Sequence, residues 1–141
     1  MAASGRSRAR QLVLRSLYAL EMGESAPADV LKDVMEGEEH GEQNLKFAGF
    51  LIEKVQVHRE WTDRSISELA HNWRLERIAV IDRIILRMAM TELKEIPDTP
   101  VKVVLNEAIE LAKLYSTGES SAFINGILDS FVKNFPAADK V

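Results

Sequence analysis

The chain has 141 residues, of which 46% are hydrophobic and 28% charged, so its length fits one compact domain and its composition is that of a folded protein. It has no cysteine, which excludes a disulfide framework and a thiolate metal site. The net charge of −4 is unevenly distributed, because four of the 18 basic side chains and none of the 22 acidic ones fall in the first 15 residues. This distribution is compatible with one local site for a polyanion and not with polyanion binding over the whole surface.

No segment approaches the roughly 20 uninterrupted apolar residues that a membrane helix requires. Even the strongest apolar run, Ile78 to Met90, is interrupted by Asp82, Arg83 and Arg87. The N-terminal segment lacks the small-residue cleavage pattern of a secretory signal. We therefore expect a cytoplasmic protein that does not enter a membrane.

Apolar residues recur at helical spacing in seven segments, and none alternates with the two-residue period of a strand, which predicts an all-α fold. The predicted helices cover about Arg6 to Met22, Val30 to Met35, Glu42 to His58, Trp61 to Trp73, Glu76 to Lys94, Pro100 to Tyr115, and a last segment that carries Phe123 to Val132. The fifth is apolar around much of its circumference, which predicts the central helix of a bundle.

Local signals mark several helix ends. Gly23 is predicted to end the first helix, and Thr99 is predicted to cap the sixth, with Pro100 in its first turn. Gly126 lies inside the last helix, where glycine costs about 1 kcal/mol relative to alanine. We therefore expect a neighbouring helix to approach closely at Gly126.

The side chains do not form a recognisable catalytic pattern. His40, His58 and His71 are too far apart in sequence for a zinc-binding HExxH pair, and neither a G-x-S-x-G turn nor a glycine-rich phosphate loop is present. Glu107 and Glu110 lie close together on the sixth predicted helix, but their spacing also suits a salt bridge from Glu110 to Lys113. We expect no catalytic residue, no metal site and no cofactor.

The arginines of the first helix are the first candidate site. Arg6, Arg8 and Arg10 are predicted to spread over its outer face, and guanidinium groups bind phosphate oxygens and stack on bases. Basic termini are nevertheless common in proteins that bind no nucleic acid. Tyr18 lies off the apolar stripe and is placed either to stack an RNA base or to pack beneath another helix.

The turn before the last helix is the second candidate site. Gly118, Glu119 and Ser120 place backbone N–H groups and a hydroxyl at a helix N-terminus, which suits an anion. Capping of the helix explains the same residues. Phe123 follows, and it either faces a ligand or continues the core stripe of its helix.

Four segments together carry a resemblance to a known family: RSRARQLVLRSLYALEMGE, IDRIILRMAMTEL, PVKVVLNEAIELAKLYS and SSAFINGILD. In order, spacing and length they resemble the NusB family of transcription antitermination factors, whereas the acidic segment Gly23 to Gly41 has no such signature. The resemblance implies seven helices in two roughly perpendicular bundles. It implies one RNA-binding domain over residues 1–141, with subdomains at about 1–58 and 59–141.

The resemblance also implies an adaptor rather than a catalyst. NusB proteins pair with the ribosomal protein NusE and bind the boxA element of nascent ribosomal RNA transcripts, as part of the RNA polymerase antitermination complex. The positions implied for RNA binding are Arg6, Arg8, Arg10, Tyr18, Glu119, Ser120 and Phe123. Glu76 and Asp82 are expected to be exposed and to form an acidic rim that binds NusE.

Three positions depart from the family pattern. Glu119 stands where an aspartate is usual and Asp82 where a glutamate is usual, which keeps the charge and changes the reach. Ala122 stands where a lysine can occur, which would remove one phosphate contact.

Two other interpretations remain open. A similar helical module begins some RNA cytosine methyltransferases, but those enzymes continue into a cofactor-binding domain with a catalytic cysteine, and this chain ends at Val141 without one. The alternative is an interaction bundle that forms a homodimer through the first helix. The resemblance to the NusB family further implies that Tyr18 and Phe123 lie on one continuous surface, where both rings are predicted to stack RNA bases.

Overall fold

The computed structural model describes residues 4–23, 32, 39–71 and 74–134. Within these ranges the chain forms helices and contains no strand, which confirms the predicted all-α class. The helices are α1 (Gly5–Glu21), α2 (Glu42–Val57), α3 (Arg59–Leu69), α4 (Val80–Glu95), α5 (Val101–Tyr115) and α6 (Gly118–Asn134), with a short 3₁₀ turn at Leu75–Arg77. Apart from Lys32, the helix predicted at Val30 to Met35 lies outside the described residues, so the count of seven helices stays a prediction.

The described residues divide into two compact units between Glu53 and Lys54. The first unit contains α1 and most of α2. The second contains the end of α2 and the helices α3 to α6. The division lies within α2, whereas the sequence suggested a boundary at the end of that helix, near residue 58.

In the first unit, both ends of α1 have a clear local cause. The Ser4 side chain accepts a hydrogen bond from the Ser7 backbone N–H at 3.0 Å, which caps the helix. Gly23 follows the helix with a φ of 90°, a left-handed conformation that favours glycine, and confirms the predicted end. Between these ends the predicted apolar face is buried, including Leu12, Val13 and Leu17.

In the second unit, α4 is the central helix, as predicted. It contacts α3, α5 and α6, and every residue from Ile84 to Leu93 is buried. The buried Arg87 is paired with Asp63 of α3 through two hydrogen bonds of 2.7 and 3.2 Å. A charge inside a helical core is tolerated when it is paired in this way.

Two local predictions are wrong. The helix α5 begins at Val101, with Pro100 rather than Thr99 in the cap position and no side-chain capping bond. The helix starts there because the proline stops it from extending further back. Gly126 is exposed, and a methyl group at its Cα would meet none of the described residues within 4 Å. A close approach between helices is therefore not the reason for this glycine.

Candidate functional site

The arginines at the start of α1 do not all face outward. Arg6 and Arg8 are exposed, whereas Arg10 is only 3% exposed, so the expectation of three outward guanidinium groups is wrong for Arg10. The reason is a contact within the first unit, because the Arg10 guanidinium carbon lies 5.2 Å from the centre of the Phe47 ring. Two exposed arginines therefore remain as candidates to contact a phosphate directly.

The surroundings of these two arginines favour an anion. The first turn of α1 contains no acidic residue, and the N-terminal end of a helix dipole is positive. Arg6 and Arg8 add two full positive charges at that end. This part of α1 is suited to attract a phosphate group.

Tyr18 lies further along α1 and is 40% exposed. Its side chain is therefore partly accessible, and the two alternatives, a ring that stacks a base and a ring packed beneath another helix with its hydroxyl outward, both stay predictions. The rise of a helix places it roughly 15 Å along the axis from Arg8. An accessible ring at that distance from two guanidinium groups can stack one base of an RNA whose phosphates contact the arginines, and this role stays a prediction.

In the second unit, the turn between α5 and α6 is held by one buried carboxylate. Ser116 Oγ donates to Asp82 Oδ1 and Ser120 Oγ donates to Asp82 Oδ2, both at 2.8 Å. Thr117 Oγ1 lies 3.1 Å from Ser120 Oγ. Asp82, in the first turn of α4, thus fixes the start of α6.

This arrangement corrects one expectation. Asp82 is only 6% exposed, so the expectation of an exposed Asp82 on an acidic rim is wrong. Its carboxylate is covered because the turn between α5 and α6 supplies two hydroxyl donors to it. Glu76 is exposed, as predicted. Ser120 is buried too, and its hydroxyl donates to Asp82 rather than to a ligand.

A cavity of about 300 Å³ lies beside this turn. Its lining residues are Arg77, Ile78, Ala79, Asp82, Thr117, Glu119, Ser120 and Phe123. Phe123 is half-buried at the cavity, whereas Ile124 and Ile127 of the same helix are buried. Phe123 therefore lies outside the buried core stripe. The structure thus brings Glu119, Ser120 and Phe123 together with Asp82. The sequence had suggested a different place for Asp82, on an acidic rim that binds a partner protein.

Arg77 is a candidate site residue that the sequence patterns did not indicate. This residue is exposed at the end of the 3₁₀ turn and lines the cavity together with Phe123. A guanidinium and an aromatic ring at one cavity provide hydrogen-bond donors and a stacking surface for a nucleotide. The signal available in the sequence was the pair Arg74 and Arg77, which lies just before the central helix.

Several titratable residues elsewhere in the second unit form structural pairs. His58 contacts Glu95, and the hydrogen bond from His58 lowers the pKa of the Glu95 carboxyl against the opposing effect of burial, with help from the charges of His58, Lys54 and Lys94. Glu110 and Lys113 form the predicted salt bridge at 3.5 Å. Across the described ranges, no group of three histidine or acidic side chains is arranged to hold a metal ion. Nor is any helix in those ranges long and apolar enough to cross a membrane.

The fold and the site together define a small, all-helical protein with a candidate nucleic-acid-binding surface. Comparison with known proteins gives its family. The NusB family model matches residues 7–133, and the chain belongs to the NusB family.

Individual relatives agree with this assignment. The transcription antitermination protein NusB of Myxococcus xanthus is 44% identical over 124 residues, which cover 85% of this chain and 89% of that protein. The protein of the same name from Trichlorobacter lovleyi is 45% identical over 124 residues, with 88% and 87% covered.

Solved structures share the fold. The structure of T. maritima NusB has a TM-score of 0.84 at 32% identity and covers 94% of this chain and 93% of its own. A structure of the antitermination factors NusB and NusE in complex with double-stranded RNA has a TM-score of 0.83 at 23% identity, with 92% and 97% covered. At that identity, the second likeness shows the fold alone.

Proposed function

We propose that this protein is a transcription antitermination factor that pairs with the ribosomal protein NusE and binds boxA RNA in nascent ribosomal RNA transcripts. It acts in the bacterial cytoplasm as an adaptor within the RNA polymerase antitermination complex and not as a catalyst. Its relatives are named as transcription antitermination proteins, and the fold is that of a NusB bound to NusE and RNA. The observation that carries the proposal is the exposed set Arg6, Arg8 and Tyr18 on α1.

In the first unit, Arg6 and Arg8 bind RNA phosphates and Tyr18 stacks on a base. The charge distribution supports this assignment, because these arginines belong to the first 20 residues, which contain four arginines and no acidic residue. Since the rest of the chain is acidic on balance, most of the phosphate contacts are made at this local site. Arg10 supports the arm from within the unit and does not contact the RNA.

In the second unit, the cavity beside Phe123 accepts an unstacked base. The Phe123 ring provides the stacking plane, and Arg77 provides donors to a base edge or a phosphate. Glu119 lies on the exposed part of the lining. Asp82 and Ser120 serve by holding the turn in place, since their polar atoms bond to each other.

NusE binds near the 3₁₀ turn that precedes α4. Glu76, an exposed acidic residue of that turn, complements a basic ribosomal protein. Asp82 contributes to NusE binding only indirectly. It fixes the turn between α5 and α6, which lies beside the cavity that Arg77 and Phe123 line.

We further infer the finer architecture of the family for this chain. It consists of one domain with seven helices in two roughly perpendicular bundles. The six described helices and the helix that the sequence predicts at residues 30–35 together give this count. A single domain of this kind is consistent with the chain covering 87 to 89% of the two curated relatives above.

A titration tests the proposed function. Labelled boxA RNA is titrated with the protein alone and with an equimolar mixture of the protein and NusE, and a scrambled RNA of equal length serves as the control. We expect boxA RNA to bind more tightly than the scrambled RNA and NusE to strengthen the difference. Equal affinity for the two RNAs with NusE present contradicts the proposal. A concentration-dependent dimer that binds neither RNA favours the homodimer instead.

The salt dependence of the same titration tests the arginine contacts. The log–log salt slope is that of the logarithm of the binding constant against the logarithm of the salt concentration. For single-stranded RNA, the loss of one phosphate contact lowers the magnitude of this slope by about 0.7. Replacing both Arg6 and Arg8 with alanine should therefore reduce it by about 1.4. An unchanged affinity and slope in this double variant would show that Arg6 and Arg8 are only solvated and do not contact the RNA.

A further inference from the structure

The ring of Phe47, on α2, contacts guanidinium groups of two arginines of α1. The guanidinium carbon of Arg6 lies 4.3 Å from the ring centre, and that of Arg10 lies 5.2 Å away. All three residues belong to the first unit. Phe47 is half-buried, Arg10 is buried and Arg6 is exposed, so the ring connects the interior of the unit to the exposed start of α1.

Charge interactions among Arg6, Arg10 and the ring of Phe47 favour this arrangement. Arg6 and Arg10 are one helical turn apart and therefore lie on the same side of α1, where two positive charges repel each other. The negative face of an aromatic ring attracts a cation and offsets part of this repulsion. Phe47 thus allows two arginines to share one side of the helix.

A ring holds an arginine differently from a carboxylate. A carboxylate neutralises the charge and occupies the N–H donors that point outward in the guanidinium plane. A ring face binds the cation without accepting those in-plane hydrogen bonds. Arg6 held by Phe47 therefore keeps both its charge and its donors for a phosphate.

We propose that Phe47 is a positioning residue for RNA binding, whose ring holds the exposed Arg6 guanidinium in place to bind an RNA phosphate. An arginine side chain that is already ordered loses less conformational freedom when it binds. This inference rests on the proposed function, since it takes Arg6 to contact the RNA.

The test compares Phe47→Leu, which removes the ring and keeps an apolar side chain, with Phe47→Tyr, which keeps the ring. Each is combined with Arg6→Ala and, as a matched control, with Arg8→Ala, because Arg8 is an exposed arginine of the same turn. The dissociation constant for labelled boxA RNA is measured with NusE present at several salt concentrations. Thermal unfolding of every variant is recorded.

We expect Phe47→Leu to raise the dissociation constant about two- to fivefold, the range of a cation–π contact near the surface. The log–log salt slope should become shallower by up to about 0.7, the same change that is expected for Arg6→Ala. The loss should disappear in the Arg6→Ala background and persist in the Arg8→Ala background. Phe47→Tyr should bind close to the wild type.

Other outcomes separate the positioning role of Phe47 from the proposed RNA contact of Arg6. If Arg6→Ala weakens binding and Phe47→Leu does not, the positioning role is wrong and the proposed RNA contact stands. If Phe47→Leu weakens binding equally in both arginine backgrounds, the ring acts through the fold and not through Arg6. If replacing Arg6 and Arg8 together changes nothing, the proposed RNA contact itself is wrong.

A measurement on the unaltered protein tests the inference even if the Phe47→Leu variant does not fold. Protons above the face of an aromatic ring shift upfield in the NMR spectrum, so the side-chain protons of Arg6 should resonate upfield of those of Arg8 in the free protein. Equal shifts for the two arginines would overturn the inference.

Discussion

Asp82 and Arg10 are both charged, both buried, and each is held by groups distant in sequence. Asp82 accepts hydrogen bonds from Ser116 and Ser120, and Arg10 lies near the ring of Phe47. Burying a charge is costly unless partners replace the lost water. These two residues therefore act on the site through the structure that they hold, whereas Arg6, Arg8 and Tyr18 are accessible to a ligand.

The first prediction concerns Asp82. Replacing Asp82 with alanine leaves two serine hydroxyls without their acceptor, so the free energy of unfolding should fall by about 1 to 3 kcal/mol. Urea denaturation measures the change, and Glu76→Ala, at an exposed acidic residue nearby, serves as the control with little expected effect. An Asp82→Ala protein as stable as the wild type would mean that these bonds do not hold the turn.

The second prediction concerns Glu76 and the partner. Charges at the rim of an interface act mainly on the association rate, so Glu76→Lys should slow association with NusE and weaken its dependence on salt. Stopped-flow mixing measures both effects. Glu110→Lys changes an exposed acidic residue on α5 and should leave the rate unchanged. Normal kinetics in Glu76→Lys would place the interface elsewhere.

The third prediction concerns the two aromatic rings. Stacking a base on a ring contributes about 1 to 3 kcal/mol, so Tyr18→Ala and Phe123→Ala should each weaken RNA binding by roughly five- to a hundredfold. Tyr18→Phe keeps the ring and should bind nearly normally. Because Phe123 is half-buried, its replacement should cost less stability than the roughly 3 to 5 kcal/mol of an emptied core site. A full core penalty with normal RNA binding would reduce the stacking surface to Tyr18.

The helices show how far local patterns reach. The buried stripe of α1, the central position of α4 and the left-handed glycine after α1 all agree with the sequence. The start of α5 and the surroundings of Gly126 do not. Periodicity reports which face of a helix is buried, but it does not report what, if anything, lies against one residue of it.

The fourth prediction follows from the open surroundings of Gly126. Glycine inside a helix costs about 1 kcal/mol relative to alanine, and a methyl group at this position meets none of the described residues within 4 Å. Gly126→Ala should therefore raise the free energy of unfolding by up to about 1 kcal/mol, as measured by urea denaturation. RNA binding should not change. A destabilised variant would mean that this face of α6 is covered in solution.

In the molecule as a whole, the residues that concentrate positive charge are different from the residues that form ion pairs within the fold. The arginines near the start of the chain concentrate positive charge on α1, while the rest of the chain is acidic. In the second unit, Arg87 is paired with Asp63, and His58 contacts Glu95 and lowers the pKa of its carboxyl. Salt should therefore act on RNA binding, and acid should act on folding.

The fifth prediction concerns pH. The folded state lowers the pKa of Glu95 from 4.5, chiefly through its hydrogen bond with His58, so the unfolded chain binds the proton more readily. The resulting stability is present above the unfolded pKa and is lost as the pH falls through the folded pKa. Glu95→Gln should melt below the wild type at pH 7, and this deficit should shrink on acidification below about pH 4. A deficit that is constant with pH would contradict a charge effect, and Glu110→Gln serves as the exposed control.

The sequence by itself determined the helical class, most helix positions, the local concentration of arginines and the family resemblance. Apart from the family resemblance, which depends on four segments spread along the chain, these features depend on residues within a few turns of one another, where the helical period and the turn residues set the structure. Only the tertiary structure decided that Arg10 is buried and that Asp82 holds a turn. It also decided that Arg77 and Phe123 line one cavity. Asp82 and Ser120 are 38 residues apart in sequence, and no local pattern reports which distant groups will meet when helices pack.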